Sequence, residues 1–379
     1  MSERLPHESK LERFFARYEF SVRHILGASD VDGYPMGELL ALADDDALQR
    51  WDQLTLGYTE TAGHPALRSA IADLYDKVSP DDVVVCGGGA VEALFLLIHA
   101  LIERHSHLVV VWPAFESLHR VAQAAGTDVT LVPLHARDGW ELDLDAVRAA
   151  LRPGTGAIVV NYPHNPTGAL LSPARFHELL ELARERGIRV VADEVYRGME
   201  YDPAERLPAA ADMAESFISV GVLSKAYGLA GLRIGWLACR DRELLARVTA
   251  MKDFTSVCAS APAEVLGLIA LRARDRVVGR CMDIVRGNLA HAEAFFARHT
   301  DLFEWIPPRA GTVTFPLLRS PVPIGEFVHA LVEREGVMLL PAGVFDHHEN
   351  RFRIGLGRSD MPQALARLES HLTRWRNPA

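Results

Sequence analysis

Three features are scarce in this sequence of 379 residues: cysteine, long apolar runs and an excess of positive charge. The four cysteines, Cys86, Cys239, Cys258 and Cys281, are far apart and form no CxxC pair, so we expect neither a metal site nor disulfides, and a reducing cytoplasm is favoured. No run of about 18 apolar residues is present to span a bilayer. The charged segment Met1–Tyr18 lacks the apolar centre of a signal peptide, and we expect none there.

The charge balance is acidic. Lysine and arginine total 40, aspartate and glutamate total 50, and the formal net charge is −10. This balance argues against nucleic acid or an anionic membrane as a partner. It leaves room for an anionic small ligand, because a single pocket can be basic in an acidic protein.

Short apolar runs without polar alternation recur along the first two thirds of the chain, which is typical of strands buried on both faces of a parallel sheet. Helical patterns lie between them, for example one that begins at Ser172-Pro173 and ends at Gly187. The sequence therefore predicts an α/β fold, a three-layer α/β/α sandwich with a mostly parallel sheet. The apolar runs are Val83–Cys86, Leu108–Val111, Val129–Val132, Ala157–Val160, Ile188–Ala192 and Phe217–Val222.

The pattern changes after about residue 255 and predicts a smaller α+β domain. A long helical stretch covers Ala261–Phe296, and a final helix is expected at Met361–Trp375. Three strand-like segments lie between these helices, at 312–316, 337–340 and 352–356.

The segment from Ser224 to Gly235 carries the strongest chemical signal. It follows a predicted strand and places Lys225 after a hydroxyl residue and eight positions before Arg233. This spacing suits pyridoxal phosphate (PLP): the lysine amine can form an imine with the aldehyde, while Ser224 and Arg233 bind the phosphate. Taken alone, the segment could also be a surface lysine and arginine around a glycine-rich turn.

The segment resembles the lysine signature of the class I/II aminotransferases, which are fold type I PLP enzymes. Further landmarks of that family follow in the right order between Tyr58 and Arg353. The resemblance implies PLP as cofactor and a large cofactor-binding domain, with a small domain built from both termini. It divides the chain into an N-terminal segment joining the small domain, the large domain, and an interdomain helix with the small C-terminal domain, at 1–45, 46–275 and 276–379.

Two landmarks of the resemblance concern the phosphate and the ring of PLP. The turn after Cys86 opens an apolar helix, and the family binds the phosphate to backbone amides there, here those of Gly89, Ala90 and Val91. Phe115, in a Pro-x-aromatic turn, corresponds to the residue that stacks on the pyridine ring. A glycine-rich turn or a core phenylalanine without any ligand remains the alternative for each motif alone.

Three further residues correspond to polar contacts of the ring. Asn165, in an Asn-Pro-Thr-Gly motif, and Tyr196 would donate hydrogen bonds to the phenolic oxygen. Asp193 ends a buried strand, where a carboxylate is costly unless it is paired. Its partner would be the pyridinium nitrogen, so that the protonated ring withdraws electrons. The Asn-Pro pair by itself could also mark only a turn.

The resemblance also implies a substrate residue and a partner subunit. Arg353 corresponds to the arginine that grips the substrate α-carboxylate through two hydrogen bonds; Arg351 is expected on the same face of the strand. Tyr58 corresponds to a tyrosine that reaches the phosphate of the neighbouring subunit, which implies a homodimer with shared active sites. Packing against the helix that begins at Pro65 is the alternative role for Tyr58.

The sequence also departs from the family pattern. Val222 stands where serine or threonine is common, and no Gly-x-Pro loop is present between Gly27 and Leu40. The stretch Asp32–Leu39 instead resembles the capreomycidine synthase subgroup, whose reaction cyclises a hydroxylated arginine.

The predicted function is transfer of an amino group between an L-amino acid and a 2-oxo acid, with Lys225 as the catalytic lysine. The alternative is elimination followed by cyclisation on an arginine-derived amino acid. A PLP-sensing domain of a transcription regulator is disfavoured, because the segment before Tyr58 is neither basic nor patterned as helix-turn-helix. The substrate side chain stays open, as does whether Tyr34, His164, His347 or Arg351 lines its pocket.

Overall fold

The protein is described by a computed structural model over residues 8–102 and 106–376. Residues 1–7 and 377–379, which belong to the N-terminal segment and the small domain of the sequence prediction, lie outside the described residues. Among the described helices, none combines the length and apolarity needed to cross a membrane.

A seven-stranded sheet forms the centre of the fold in the order β1-β7-β6-β5-β4-β2-β3. The neighbours from β3 to β6 pair in parallel, whereas β7 is antiparallel to both β6 and β1. Helices cover the sheet, and the predicted α/β sandwich is confirmed. The strands are β1 (Val83–Cys86), β2 (His107–Trp112), β3 (Asp128–Pro133), β4 (Thr155–Asn161), β5 (Arg189–Asp193), β6 (Ile218–Val222) and β7 (Gly235–Ala238).

Six of these strands coincide with the apolar runs in the sequence, because β-branched and other apolar side chains are buried on both faces there. The edge strand β3 is the most exposed of the six. The seventh strand, β7, was not predicted. It has only four residues and follows directly on the lysine segment.

Several helices begin at a residue whose side chain caps them, as at Ser9, Asp44, Asp143, Ser172 and Asp241. The hydroxyl of Ser172 accepts a hydrogen bond from the Arg175 N–H, and Pro173 opens the helix. The helices of the described residues are α1 (Lys10–Tyr18), α2 (Met36–Leu40), α3 (Asp45–Asp52), α4 (Pro65–Ala72), α5 (Ala90–Ile102), α6 (Arg120–Ala124), α7 (Leu144–Ala150), α8 (Pro173–Glu185), α9 (Ala210–Met213), α10 (Arg242–Lys252), α11 (Ala261–Arg272), α12 (Arg274–Arg298), α13 (Ile324–Glu335) and α14 (Met361–Arg376).

The predicted single helical stretch 261–296 is wrong in one respect. It is divided at Ala273, whose ψ of 21° leaves the helical region, so α11 and α12 are separate helices. The final predicted helix is confirmed by α14.

Short strands and three helices make up the C-terminal region. The N-terminal segment runs along it: the Gly27 N–H donates to Met338 O at 2.7 Å and the Gly355 N–H donates to Leu26 O at 2.7 Å. Residues from both ends of the chain therefore meet, while the domain boundaries at 45 and 275 stay predictions. The strands are β8 (Phe303–Glu304), β9 (Val313–Thr314), β10 (Leu317–Leu318), β11 (Leu340–Pro341) and β12 (Phe352–Gly355).

Candidate active site

A cavity of about 370 Å³ lies at the carboxyl ends of β4, β5 and β6, the usual place for a ligand in a parallel sheet. It brings together residues that are up to 342 positions apart in the sequence, from Leu11 to Arg353. Most residues that the sequence predicted for the site line it. These are Ala90, Val91, Phe115, Asn165, Asp193, Tyr196, Ser224, Lys225, Arg233 and Arg353.

Lys225 lies in the turn after β6, and its Nζ donates a hydrogen bond to the Ser29 hydroxyl at 2.9 Å. The Tyr196 hydroxyl donates to the Ser29 carbonyl oxygen at 3.0 Å, and the Thr312 hydroxyl donates to the same oxygen at 2.7 Å. Ser29 thus touches two predicted site residues. Sequence reasoning missed it, because Ser29 belongs to no motif and reaches the site only through the path of the N-terminal segment.

Asp193 ends β5 and is only 4% exposed. Its carboxylate accepts one hydrogen bond, from the Val195 N–H at 3.2 Å, and no ion pair within 4.0 Å involves it among the described residues. Burial raises the pKa of Asp193 to about 7, while the Val195 amide and the charge of Lys225 lower it. A buried carboxylate without a cationic contact matches a ligand that supplies a positive charge, such as a protonated ring nitrogen.

The neighbouring carboxylate behaves differently. Glu194 Oε1 accepts hydrogen bonds from the Ala210 N–H at 2.8 Å and from the Ser219 hydroxyl at 2.9 Å. Burial also raises its pKa to about 7. Glu194 does not line the cavity, in keeping with its lack of an assigned role in the sequence.

An anion cradle forms where α5 begins. Arg233 Nη2 donates to the Gly88 carbonyl at 2.8 Å, and a Cβ added at Gly89, where φ is +75°, would lie 3.0 Å from this nitrogen. A Cβ at Gly235 would lie 2.4 Å from the Gly89 carbonyl carbon, so glycine is needed where the two segments cross. The Gly89 N–H makes a long bond of 3.3 Å to the Cys86 carbonyl, and the amides of Ala90 and Val91 open α5. Helix N-terminal amides beside a guanidinium and the Ser224 hydroxyl suit a phosphate group.

Arg353 lies in β12 and is 1% exposed. Its Nε and Nη2 donate to the Gly27 carbonyl at 3.1 and 2.9 Å, and its Nη1 donates to Asn165 Oδ1 at 3.0 Å. Burial lowers the pKa of Arg353 to about 10, which leaves it cationic at neutral pH. A fixed planar cation at the cavity wall suits a carboxylate.

Arg351, whose place in the pocket the sequence left open, does not line the cavity. β12 begins at Phe352, and the Arg351 guanidinium bonds Glu349 at 2.5 Å and the Phe315 carbonyl at 3.3 Å, and lies 4.9 Å over the Trp140 ring. Arg351 is therefore engaged outside the cavity.

Four other candidates also lie outside this cavity. Tyr34 packs under Arg280 at 4.5 Å. His164 bonds the Thr167 hydroxyl at 2.7 Å, and His347 stacks on a tryptophan. Tyr58 is 92% exposed and does not line the cavity of its own subunit.

The outer wall of the cavity is acidic. It includes Asp30, Glu12 in α1 and Glu19 directly after α1, seven positions from Glu12. Asp30 is paired with Arg358 at 2.9 Å, whereas Glu12 and Glu19 have no cation within 4.0 Å among the described residues. Burial, followed by repulsion from Asp30, raises the pKa of Glu19. Their helical spacing indicates a shared face, but nothing in the sequence linked that face to the site.

Helix α1 is fixed beside the cavity by one carboxylate. Glu116 accepts hydrogen bonds from the Ser9 hydroxyl at 2.5 Å and from the N–H groups of Lys10 and Leu11, both at 3.3 Å. Since Glu116 directly follows the cavity residue Phe115, the acidic wall is tied to the rest of the site.

The fold and this set of residues define a PLP-dependent enzyme of fold type I. Residues 33–368 match the sequence model of the family described as "Aminotransferase class I and II", and the chain belongs to this family. PLP is its cofactor, and the unpaired Asp193 and the glycine-lined cradle beside Arg233 fit its ring nitrogen and its phosphate.

Similar proteins include both aminotransferases and cyclising enzymes. The chain is 30% identical to capreomycidine synthase of Streptomyces vinaceus over 367 residues, 96% of this chain and 93% of that protein. A PLP-dependent aminotransferase of Streptococcus suis 89-1591 superposes with a TM-score of 0.91 at 26% identity, covering 97% and 98% of the two chains. The PLP-dependent cyclase OrfR superposes with a TM-score of 0.89 at 30% identity, covering 99% and 100%.

Proposed function

We propose that this enzyme transfers the amino group of an L-amino acid to a 2-oxo acid, with Lys225 as the proton carrier. The observation that carries the proposal is the meeting of Lys225, Asp193 and Arg353 in one cavity. PLP, when bound, supplies a ring that withdraws electrons from the substrate Cα. The Lys225 amine would hold the cofactor in the resting enzyme and, once the substrate amino group has displaced it, would be free to take the proton from the substrate Cα and carry it onward.

The other residues orient the two ligands. We assign the phosphate to Ser224, Arg233 and the amides at 89–91, and the ring face to Phe115. The hydrogen bond from Arg353 fixes the Asn165 amide with its oxygen toward the arginine, because a guanidinium only donates. The NH₂ group of Asn165 is thereby free to donate to the phenolic oxygen. Tyr196 would donate there once its hydroxyl turns away from the Ser29 carbonyl.

The acidic wall favours a substrate with a cationic side chain. The three cations of the cavity, Lys225, Arg233 and Arg353, are engaged by the cofactor and the α-carboxylate in this assignment. Glu12 and Glu19 remain without a cation, at the wall that the substrate side chain would reach. An ammonium or guanidinium group there would relieve the repulsion among the carboxylates.

A substrate panel on the holoenzyme tests this assignment. L-Arginine, L-ornithine and L-lysine, each supplied with a 2-oxo acid, should have a higher kcat/KM than L-norleucine or L-glutamate. Glu12→Gln and Glu19→Gln should raise KM for the cationic substrates only. Glu8→Gln is the matched control, since Glu8 is an exposed carboxylate that pairs with Arg13 outside the cavity. Preference for L-glutamate would overturn the cationic assignment.

A second reaction, elimination and cyclisation of an arginine-derived amino acid, is favoured by the same acidic wall and by the similarity to capreomycidine synthase over 96% of the chain. The two reactions differ in what they consume. Amino-group transfer consumes a 2-oxo acid and converts the amino acid that donates the amino group into a second 2-oxo acid. Cyclisation consumes no 2-oxo acid, and its product keeps the amino group. Mass spectrometry of products with and without a panel of 2-oxo acids separates them.

We propose that the enzyme is a homodimer in which Tyr58 contacts the cofactor phosphate of the other subunit. Leu56, Tyr58 and Phe254 are 87%, 92% and 91% exposed, which is unusual for large apolar side chains on a free surface. Mixing Lys225→Ala and Tyr58→Ala protomers should restore activity, because one of the two sites then has both residues. If the mixed dimers, verified by mass spectrometry, are no more active than either single variant, the active sites are not shared between subunits.

The cytoplasm is the proposed location. The four cysteines are all free, and three of them are buried, which suits a reducing compartment. Fractionation of the producing cell tests this.

A further inference from the structure

A second cavity, of about 400 Å³, lies behind the active site. It is enclosed by α12, by the end of α4 and by the segments that follow β5 and β6. Only Val195 and Val222 line both cavities. None of the residues assigned to the cofactor or the substrate faces it, so its polar groups have no role in the proposed reaction.

Four arginines line this second cavity. Arg206 is paired with Glu200 at 2.8 Å. Arg286 makes one hydrogen bond, from Nη2 to the Tyr201 carbonyl at 3.4 Å. Arg274 Nη1 makes a similarly long contact of 3.5 Å with a backbone carbonyl. Two of the guanidinium groups thus have only weak partners.

The carboxylates of the walls do not neutralise these cations. Asp275 lies 4.0 Å from Arg274, at the limit of an ion pair, and its side chain is fully exposed. Glu194 Oε2 lies 4.0 Å from Arg197 Nε, and neither atom has a hydrogen-bond partner in the described residues. Asp73 is exposed at the rim. Three arginines, Arg197, Arg274 and Arg286, therefore line the cavity without a closely bonded carboxylate, and Arg274 and Arg286 lie on its exposed side.

Aromatic side chains form the opposite wall. Trp236 Nε1 donates to the Tyr75 hydroxyl at 2.9 Å. Tyr227 is 8% exposed, and its hydroxyl makes no hydrogen bond within the described part of the chain. Burial raises the pKa of Tyr227 to about 12, while the charges of Arg274, Arg197 and Arg206 lower it and that of Asp275 raises it.

We propose that this second cavity binds a small organic anion whose phosphate or carboxylate group contacts Arg274, Arg286 and Arg197 and whose apolar part packs against Tyr227 and Trp236. Its volume is that of ordinary small-molecule sites. The bound anion would lie one layer of side chains from the active site, across Val195 and Val222. No lysine that could react with a substrate lines this second cavity. This position suits an effector of the enzyme.

Calorimetric titration of the holoenzyme tests the proposal, since PLP then fills the phosphate cradle of the active site. Phenyl phosphate and benzoate represent the two anionic groups, and benzyl alcohol is the uncharged control. At least one anion should bind with a Kd of about 1 mM or below, and benzyl alcohol should bind at least tenfold more weakly. Which anion binds more tightly identifies the head group.

Two pairs of variants locate the bound anion. Arg274→Ala should weaken binding about tenfold or more. Arg276→Ala, an exposed arginine of α12 outside the cavity, should leave it unchanged. A Cβ at Gly279 meets no atom within 4 Å, so Gly279→Phe can fill the cavity without a backbone clash, and Gly279→Ala serves as its control.

Loss of binding in Gly279→Phe and Arg274→Ala, with binding kept in both controls, supports the proposal. Absence of binding by both anions overturns it. Binding that survives Gly279→Phe but is lost in Arg353→Lys also overturns it, because the anion then occupies the active site. If Gly279→Phe does not fold, the comparison of Arg274→Ala with Arg276→Ala decides.

Discussion

Arg353 and Asn165 are joined by a hydrogen bond of 3.0 Å between Nη1 and Oδ1, although 188 positions separate them in the sequence. The bond connects the residue assigned to the substrate carboxylate with one assigned to the cofactor ring. Together with the two contacts to the Gly27 carbonyl, it fixes the plane of the guanidinium. The site is therefore held in shape before any ligand arrives.

Replacement of this arginine should separate binding from chemistry. Arg353→Lys keeps the charge but loses the planar two-point grip, so it should raise KM for the amino acid about tenfold or more. Steady-state kinetics at saturating 2-oxo acid measure the change. The absorbance of the bound cofactor should shift only slightly, because Asn165 loses one hydrogen bond.

Arg351→Lys is the matched control. Its guanidinium bonds Glu349 and the Phe315 carbonyl away from the cavity, so KM should stay within about twofold of wild type. A large rise in KM for Arg351→Lys, with none for Arg353→Lys, would reassign the carboxylate to Arg351.

Asp193→Asn should keep the fold and lose most of the activity, because a neutral amide does not hold a proton on the ring nitrogen. Contacts of this kind are worth about 2.7–4 kcal/mol in the transition state, so kcat should fall roughly 10²–10³-fold. Glu194→Gln is the control: it removes a neighbouring buried carboxyl that bonds Ala210 and Ser219 instead. Equal losses in both variants would mean that Asp193 acts through folding alone.

The residues that sequence analysis placed correctly in the cavity all belong to short local motifs. Asp193 ends a buried strand and Lys225 and Asn165 follow two others, and the carboxyl ends of parallel strands meet at one edge of the sheet. Their proximity thus follows from local patterns and from the fold class.

The residues that were missed depend on long-range folding. Ser29, Glu12 and Glu19 belong to an N-terminal segment whose path is set by backbone bonds to residues beyond 330. No local pattern contains that information. Whether Arg351 lines the pocket stayed open in the sequence for a related reason, because its contacts with Glu349 and the Phe315 carbonyl belong to no motif.

The lysine that holds PLP can be identified chemically. The sequence has four lysines, Lys10, Lys77, Lys225 and Lys252, and only Lys225 lines the active-site cavity. After borohydride reduction of the yellow holoenzyme, peptide mapping should find the pyridoxyl group on Lys225. Lys252 is the informative alternative, because it is fully buried with its Nζ bonded to the Thr61 carbonyl at 2.6 Å. Labelling there would refute the assignment.

The stability of the cofactor-free protein should depend on the ionisation of Asp193. Its pKa is about 7 in the fold, against an ordinary value of 3.8. Between about pH 4 and pH 7 the unfolded chain has released this proton and the folded protein keeps it. The free energy of unfolding therefore falls as the pH rises through this window, and above pH 7 the loss is constant.

Asp193→Asn removes this penalty, so without PLP the variant should be more stable than wild type at pH 8 by a few kcal/mol, at about 1.4 kcal/mol per pKa unit. The difference should shrink to less than about 1 kcal/mol near pH 4, because this pH is close to the ordinary pKa of 3.8 and the unfolded carboxyl is then about half protonated. Denaturant unfolding of both cofactor-free proteins from pH 4 to pH 8 measures it. Glu194, whose pKa is also about 7, is present in both proteins, so its contribution to the free energy of unfolding cancels in the difference. A difference that does not change with pH would show that the Asp193 carboxylate is ionised throughout, and would remove the reason for expecting a cationic ligand beside it.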